Sequence, residues 1–157
     1  MMRRVSIAVV RPGEGDVLSA GPIGVRILET GERTGHRLGI VEVTLPPHTP
    51  GPPQHIHREH DETFYVVSGQ PSFTSGSDEF TAGIGELITA GAGTPHTFAN
   101  PGDEKAMMYC TITPDRYIDY FYELDRLPKG PNGLDPKAVA EIMARYSTEV
   151  VPPNGPR

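Results

Sequence analysis

Three histidines and one glutamate stand out, because their types and spacing suit a metal ion. His55 and His57 are two positions apart. On a β-strand, residues i and i+2 face the same way, so both imidazoles can reach one ion while Ile56 points elsewhere. Glu62 opens the run ETFYVV, and a hairpin would bring its carboxylate beside the two rings. His96 begins a later strand-like segment. Three neutral imidazoles and a carboxylate suit one divalent transition metal: iron, manganese, nickel, cobalt or zinc. Four protein ligands on a six-coordinate ion leave two positions open, which distinguishes a reactive site from a closed structural one.

Other titratable residues read as ordinary surface or core. His60 and Glu59 sit in the polar loop REHD, which suits a solvated loop. His36 follows a glycine-containing turn and His48 lies among prolines, so both read as surface residues. Cys110 lies within a strand pattern and reads as a buried, inert thiol.

Strand parity extends the site to a pocket. If Glu62 and His96 point inward, so do Phe64, Val66 and Phe98, with Asn100 on the same parity. The last strand offers either Met107 and Tyr109 or Met108 and Cys110. Met107 and Tyr109 are taken as the pocket pair. This lining is apolar and aromatic, and Arg26 is the nearest cation from the early strands. A pocket without a charged clamp favours a neutral or aromatic organic molecule over a phosphate or an oxalate.

The elements that position these residues are mostly strands. Alternation marks Ile23, Val25 and Ile27, then Val41, Val43 and Leu45. Segments 62–68, 77–81, 85–90, 95–100 and 105–112 continue the pattern, each ended by glycine, proline or a polar turn. About seven strands without an intervening helix predict a sandwich or small barrel. After Thr113-Pro114 the pattern changes. Thr113 as N-cap and Pro114 in the first turn predict a helix over 114–127, with Tyr117, Phe121 and Leu124 on one face. Asp135-Pro136 starts a second helix over 135–146, with Val139, Ile142, Met143 and Tyr146 on one stripe. Such short helices need a surface to dock on, and the outer face of a sheet is the expected one. Residues 152–157 read as a tail.

Segment 51–69 (GPPQHIHREHDETFYVVSG) and segment 85–100 (GELITAGAGTPHTFAN) together resemble the two sequence motifs of the cupin superfamily. The first has His-x-His, four residues, Glu, six residues and Gly69. In the second, Gly85, Gly93, His96 and Asn100 fall in register. Gly51 lies nearer the histidine pair than is usual, Gly91 stands where proline is usual, and Asp61 is off the ligand spacing by one. The resemblance covers residues 23–113, and the tail is similar to that of small quercetin-dioxygenase-like cupins. It implies an all-β jelly-roll barrel, the cupin double-stranded β-helix, over 1–113 with a core at 23–113. A helical extension over 114–157 would pack on it. It also implies a metal held by His55, His57, Glu62 and His96, with Glu62 as a catalytic base. The implied activity is that of a metal-dependent oxygenase on a neutral, aromatic small molecule. The alternatives are a cyclase, isomerase or lyase using the metal as Lewis acid, and a small-molecule sensor without turnover.

Length and charge bound the rest. The chain has 157 residues, enough to bury roughly 70% of its unfolded surface in one domain without staples. The net charge of −6 argues against nucleic acid or an anionic membrane as partner. A single cysteine and an apolar stretch at 7–10 too short for a leader or a span fit a cytoplasmic protein. An exposed sheet edge, and the apolar segment 5–10 with no place in the core strands, predict a homodimer.

Overall fold

The computed structural model describes residues 6–152. Eleven strands and two helices follow in the order β1 (Val17–Ala20), β2 (Ile23–Glu29), β3 (Gly39–Leu45), β4 (His55–His57), β5 (Asp61–Ser68), β6 (Ser72–Ser75), β7 (Asp78–Thr81), β8 (Leu87–Ala90), β9 (Thr97–Ala99), β10 (Ala106–Thr113), α1 (Ile118–Asp125), α2 (Pro136–Arg145) and β11 (Thr148–Val150). Six strands form an antiparallel sheet in the order β1-β2-β3-β10-β5-β8. Facing it are the three-stranded sheet β7-β6-β9 and the pair β11-β4. The bridge His55 to His96 joins these two smaller sheets into one layer. The result is the expected mostly-β jelly roll with two short C-terminal helices.

Period-two alternation explains which faces meet. Along β3 every second residue is buried, and β10 repeats the pattern. Val25, Ile27, Val41, Val43, Leu45, Phe64, Val66, Met108, Cys110 and Ile112 therefore form the core between the layers. Residues paired directly across two antiparallel strands share a face. Cys110 pairs with Phe64, so it points inward, whereas Tyr109 pairs with Tyr65 on the outer face. The expected pocket pair Met107 and Tyr109 is thus the wrong parity. Met107 is half-buried outside the core, Tyr109 is exposed, and Met108 and Cys110 take the inner positions. Arg26 also faces outward, in an ion pair with Glu42 at 2.9 Å.

The tail departs from expectation in two ways. No side chain caps α1; a single 3-10 turn at Asp115–Tyr117 precedes it, so Thr113 is not the cap. Asp135 does cap α2, accepting from the Lys137 amide at 3.1 Å, with Pro136 in the first turn. The helices also do not lie on the outer sheet. β10 ends with Ile112 beside Glu62 and Thr113 beside Asp61, so the chain leaves the sheet at the histidine end of the jelly roll. Tyr117 then packs at once on His57 and His60, and the helices wall the mouth of the barrel instead. Of the apolar N-terminal segment, Ile7 and Val9 are exposed and in no strand, and Val5 lies outside the described residues. The expected tail beyond Pro152 lies outside them too. Among the described residues no helix is long and apolar enough to cross a membrane.

Candidate metal centre

The positions of the four side chains follow from strand geometry. His55 and His57 lie on one face of β4. His55 and His96 exchange two backbone hydrogen bonds, of 3.1 and 3.0 Å, which fixes their rings opposite each other. The His57 carbonyl accepts from the Gly93 amide at 2.7 Å, tying β4 to the turn before His96. Gly51 lets the chain approach β9 closely, because a Cβ there would run into the Phe98 carbonyl. Glu62 reaches in from β5. All four side chains are buried, and their ligand atoms lie within 4.8 Å of one another.

The hydrogen bonds on the far side of each ring set the tautomers. His55 Nδ1 lies 2.7 Å from the Pro53 carbonyl, and His96 Nδ1 lies 2.9 Å from the Thr94 carbonyl. A carbonyl only accepts, so both Nδ1 atoms carry the proton. His57 Nδ1 meets Thr148 Oγ1 at 2.8 Å. That hydroxyl gives its one proton to the Tyr146 carbonyl, at 3.1 Å, so it too accepts from the ring. Each neutral imidazole is left with a lone pair on Nε2. The Nε2 atoms of His57 and His96 each lie 3.2 Å from Glu62 Oε2. His57 Nε2 is buried with no hydrogen-bond partner. Lone pairs facing a carboxylate repel unless a cation lies between them. The donor set therefore fits a divalent metal on its own chemistry, and the far-side acceptors are those that orient metal-binding histidines.

Burial and the mutual charges act differently on the four groups. Burial, with the other two imidazoles nearby, pushes His55 down to about 3. Burial also lowers His57, despite Glu62. Burial by itself would raise Glu62, but the surrounding histidines hold its carboxyl well below the usual range. Burial works against a charge on His96, yet Glu62 outweighs it and His96 ends raised. A metal ion would compete with a proton for His96 Nε2, the nitrogen that Glu62 makes more basic.

Above the cluster lies a cavity of about 670 Å³. His55 and Glu62 form part of its floor, and Val25, Val43, Phe64, Phe98 and Cys110 line its barrel side. The tail supplies the opposite wall with Tyr117, Tyr120, Phe121, Leu124, Leu134 and Val139. Of the expected pocket residues, Phe64 and Phe98 line this space and the others do not. Val66 has the inward parity but is sealed in the core. Asn100 is fully buried and holds turns together: its Nδ2 contacts the Leu45, Pro46 and Glu104 carbonyls, and its Oδ1 accepts from the Gly102 amide. Met107 and Tyr109 are on the other face of β10. His36 and His48 are exposed, and Cys110 is a buried thiol whose ionisation burial opposes.

Sequence reasoning missed three contributors. His60 is not solvated; it is 5% exposed, with its ring tilted against that of His57 at 4.1 Å. Thr148 belongs to a strand that no periodic pattern announces. The tyrosines of the tail gave a helix signal but no sign that they face a cavity.

Residues 41–112 match the family described as Cupin domain. No curated protein matches the chain. Among solved structures, a sugar phosphate isomerase from a cupin superfamily, from Silicibacter pomeroyi DSS-3, is similar at 25% identity and a TM-score of 0.53. That alignment covers 59% of this chain, which spans only 59% of the other's length. KdgF from Halomonas sp. is similar at 21% identity and a TM-score of 0.60, over 69% of this chain and 94% of that one. A predicted oxalate decarboxylase from Thermotoga maritima has 19% identity and a TM-score of 0.61, over 68% and 99%. At those identities the last two likenesses are of fold alone.

Proposed function

We propose that the chain, whose residues 41–112 form a cupin domain, holds one divalent transition metal on His55, His57, Glu62 and His96 and acts as an oxygenase on a neutral, aromatic small molecule. The observation that carries this reading is the junction of two environments. Three imidazole lone pairs and a carboxylate converge at the floor of an apolar cavity, and His55 and Glu62 border that cavity directly. When bound, a metal with open positions would polarise a coordinating substrate oxygen and, if redox-active, engage dioxygen. The chain's own contribution is to bind, orient and keep dry. Phe64, Phe98, Tyr120 and Phe121 offer ring faces and edges to a flat substrate. Glu62 borders the floor, and an oxygen released from the ion would be the base that takes a proton from a substrate hydroxyl or an acidic C–H.

Among the described residues the cavity lining carries one cation, Lys129, and its Nζ already meets Ser19 Oγ at 2.5 Å. That is a poor clamp for a phosphate or a dicarboxylate, which supports a neutral substrate. A second reading is a non-redox isomerase, cyclase or lyase. It is favoured by the 25% identity to the Silicibacter isomerase and needs only Lewis-acid chemistry at the same floor. Elemental analysis of the purified protein, then oxygen uptake with phenols, flavonols and enols, separates the readings. Uptake supports the oxygenase, and turnover without uptake supports the second reading. Tight binding without turnover would make the chain a sensor.

The proposal extends to assembly and placement. The chain is read as a cytoplasmic homodimer, with segment 114–157 acting as an extension packed on the barrel. The outer row Tyr109, Tyr65 and Leu87, directly paired across three strands and exposed, is a surface that a second copy would cover. A monomer in light scattering at micromolar concentration would count against the dimer.

A further inference from the structure

The four ligand candidates leave one buried polar residue beside them without a role. His60 lies in the turn between β4 and β5, is 5% exposed, and is not one of the residues whose donor atoms converge. Its ring packs against those of both His57 and Tyr117, at 4.1 and 4.7 Å. The two residues before it explain why it turns inward. Arg58 pairs with Glu149 on β11 at 2.7 Å, and Glu59 faces Arg116 at 3.9 Å. Both charged side chains of the turn are thus directed to the tail, and His60 takes the inner position.

The two oxygens of Glu62 have different surroundings. Oε2 faces His57 Nε2 and His96 Nε2 at 3.2 Å each, while Oε1 faces His60 Nε2 at 3.2 Å. An ionised carboxylate only accepts, so His60 must carry a hydrogen on Nε2 to make this contact. This is the tautomer opposite to that of His55, His57 and His96, whose Nδ1 atoms carry the proton. A nitrogen that donates to Oε1 has no lone pair to give an ion.

We propose that His60 is a positioning residue that holds Glu62 in one-oxygen ligation, donating from Nε2 to Oε1 so that only Oε2 faces the ion. This rests on the reading of His55, His57, Glu62 and His96 as a metal site. Its consequence is for the open positions. If Oε1 were free to swing, Glu62 could bind through both oxygens and occupy a place that a substrate or co-substrate needs. Hydrogen bonding to a ligating carboxylate commonly fixes ligand geometry in this way.

The test uses the full chain, cobalt(II) as the probe, and two variants that divide the functions of the ring. His60→Phe keeps an aromatic ring against His57 and Tyr117 but removes the donor. His60→Gln keeps an N–H donor at a similar reach and loses the ring. The readouts are the cobalt dissociation constant by chelator competition, the visible absorption of the cobalt-loaded protein, and the melting temperature of the metal-free protein. The expected result is a dissociation constant about 10- to 100-fold higher in His60→Phe, with an altered cobalt spectrum. In His60→Gln both should return most of the way to wild type. If His60→Phe binds cobalt as wild type does, with the same spectrum, the positioning role is wrong. If His60→Gln loses as much affinity as His57→Ala, His60 is itself a ligand and the proposal is again overturned. If His60→Phe changes only the metal-free melting temperature, the role is packing alone. Failure of the wild-type chain to bind cobalt at all would overturn the metal reading, and this inference with it.

Discussion

The floor and the wall of the cavity are built on different principles. The floor comes from residues 55–96 of the two facing layers, and polar contacts hold it. Each of its three histidines is anchored through Nδ1 to a fixed acceptor, and all three Nε2 atoms are left for one point in space. The wall comes from residues 117–139, outside the matched domain, and side-chain packing holds it. Tyr117 and Tyr120 stack at 4.2 Å, with Phe121 against both. Directional bonds tolerate little change, whereas an apolar wall accepts many residues of similar volume. Such a division lets the barrel set the chemistry and the tail set what is admitted.

The tail is more than a cover, however. β11 pairs with β4, the strand that carries His55 and His57, and Thr148 holds the His57 ring. The sharpest way to break the comparison is to remove the wall entirely. Truncation after Thr113 deletes the buried side chains Tyr117, Ile118, Tyr120, Leu124, Ile142 and Met143. Each contributes roughly 1.5–3 kcal/mol of apolar burial before ordering costs. Together they rival the whole net stability of a typical domain, about 5–15 kcal/mol. The truncated chain should fail to melt cooperatively and should aggregate. A soluble truncation that melts as the full chain does and still binds metal would make floor and wall independent.

The next largest effect acts on the floor alone. His96→Ala should lower metal affinity by more than the roughly 10- to 100-fold typical of removing an outer partner. His48→Ala, which removes only an exposed contact to Asp103, should leave metal affinity unchanged. Binding of an environment-sensitive hydrophobic dye should persist in His96→Ala, because the wall is intact. Equal metal loss in the two variants, or dye release with the metal, would merge the regions that the geometry separates.

Thr148→Val probes the side-chain bond by which the tail holds a floor histidine. The substitution keeps the shape and removes the acceptor for His57 Nδ1. Metal affinity should fall about 10- to 100-fold, and titration with cobalt would measure it. An unchanged affinity would mean that β4 holds His57 without help from the tail.

The same division describes what the sequence revealed. The ligand candidates were legible because His55, His57 and Glu62 are close along the chain and the spacing i, i+2 has a direct meaning on a strand. Inner strands were legible from alternation. Parity on β10 was not, since Met107, Met108, Tyr109 and Cys110 are all compatible with burial and only the register against β5 decides. Thr148 was invisible because its partner is 91 positions away. His60 was masked by its neighbours: Arg58 and Glu59 make the turn look solvated, and only their pairing with Glu149 and Arg116 shows that the turn is tied down. The wall was half legible. Helical periodicity found the apolar faces of the tail, but what they cover depends on where β10 ends relative to the floor.

The smallest effect lies where the tail begins, away from the metal. His36 Nδ1 is 2.7 Å from Asp115 Oδ2, in the 3-10 turn that leads into α1. The Asp115 carboxylate raises the His36 pKa, with Glu32 and Asp119 adding to it. A group whose folded pKa is raised stabilises the fold fully below its unfolded value, about 6.5 for histidine. That contribution is lost as pH rises through the folded value. The His36 side chain is 73% exposed, so solvent and salt screen the pair. Metal-free wild type and His36→Gln, melted at about pH 5.5 and about pH 8.5, provide the measurement. Taking the difference between the two proteins cancels the titration of His55, His57, His96 and Glu62, which both share. Wild type should exceed His36→Gln by more at the lower pH, with the gap shrinking in high salt. A gap that does not change with pH would show that this contact joins the early loop to the tail through packing and not through charge.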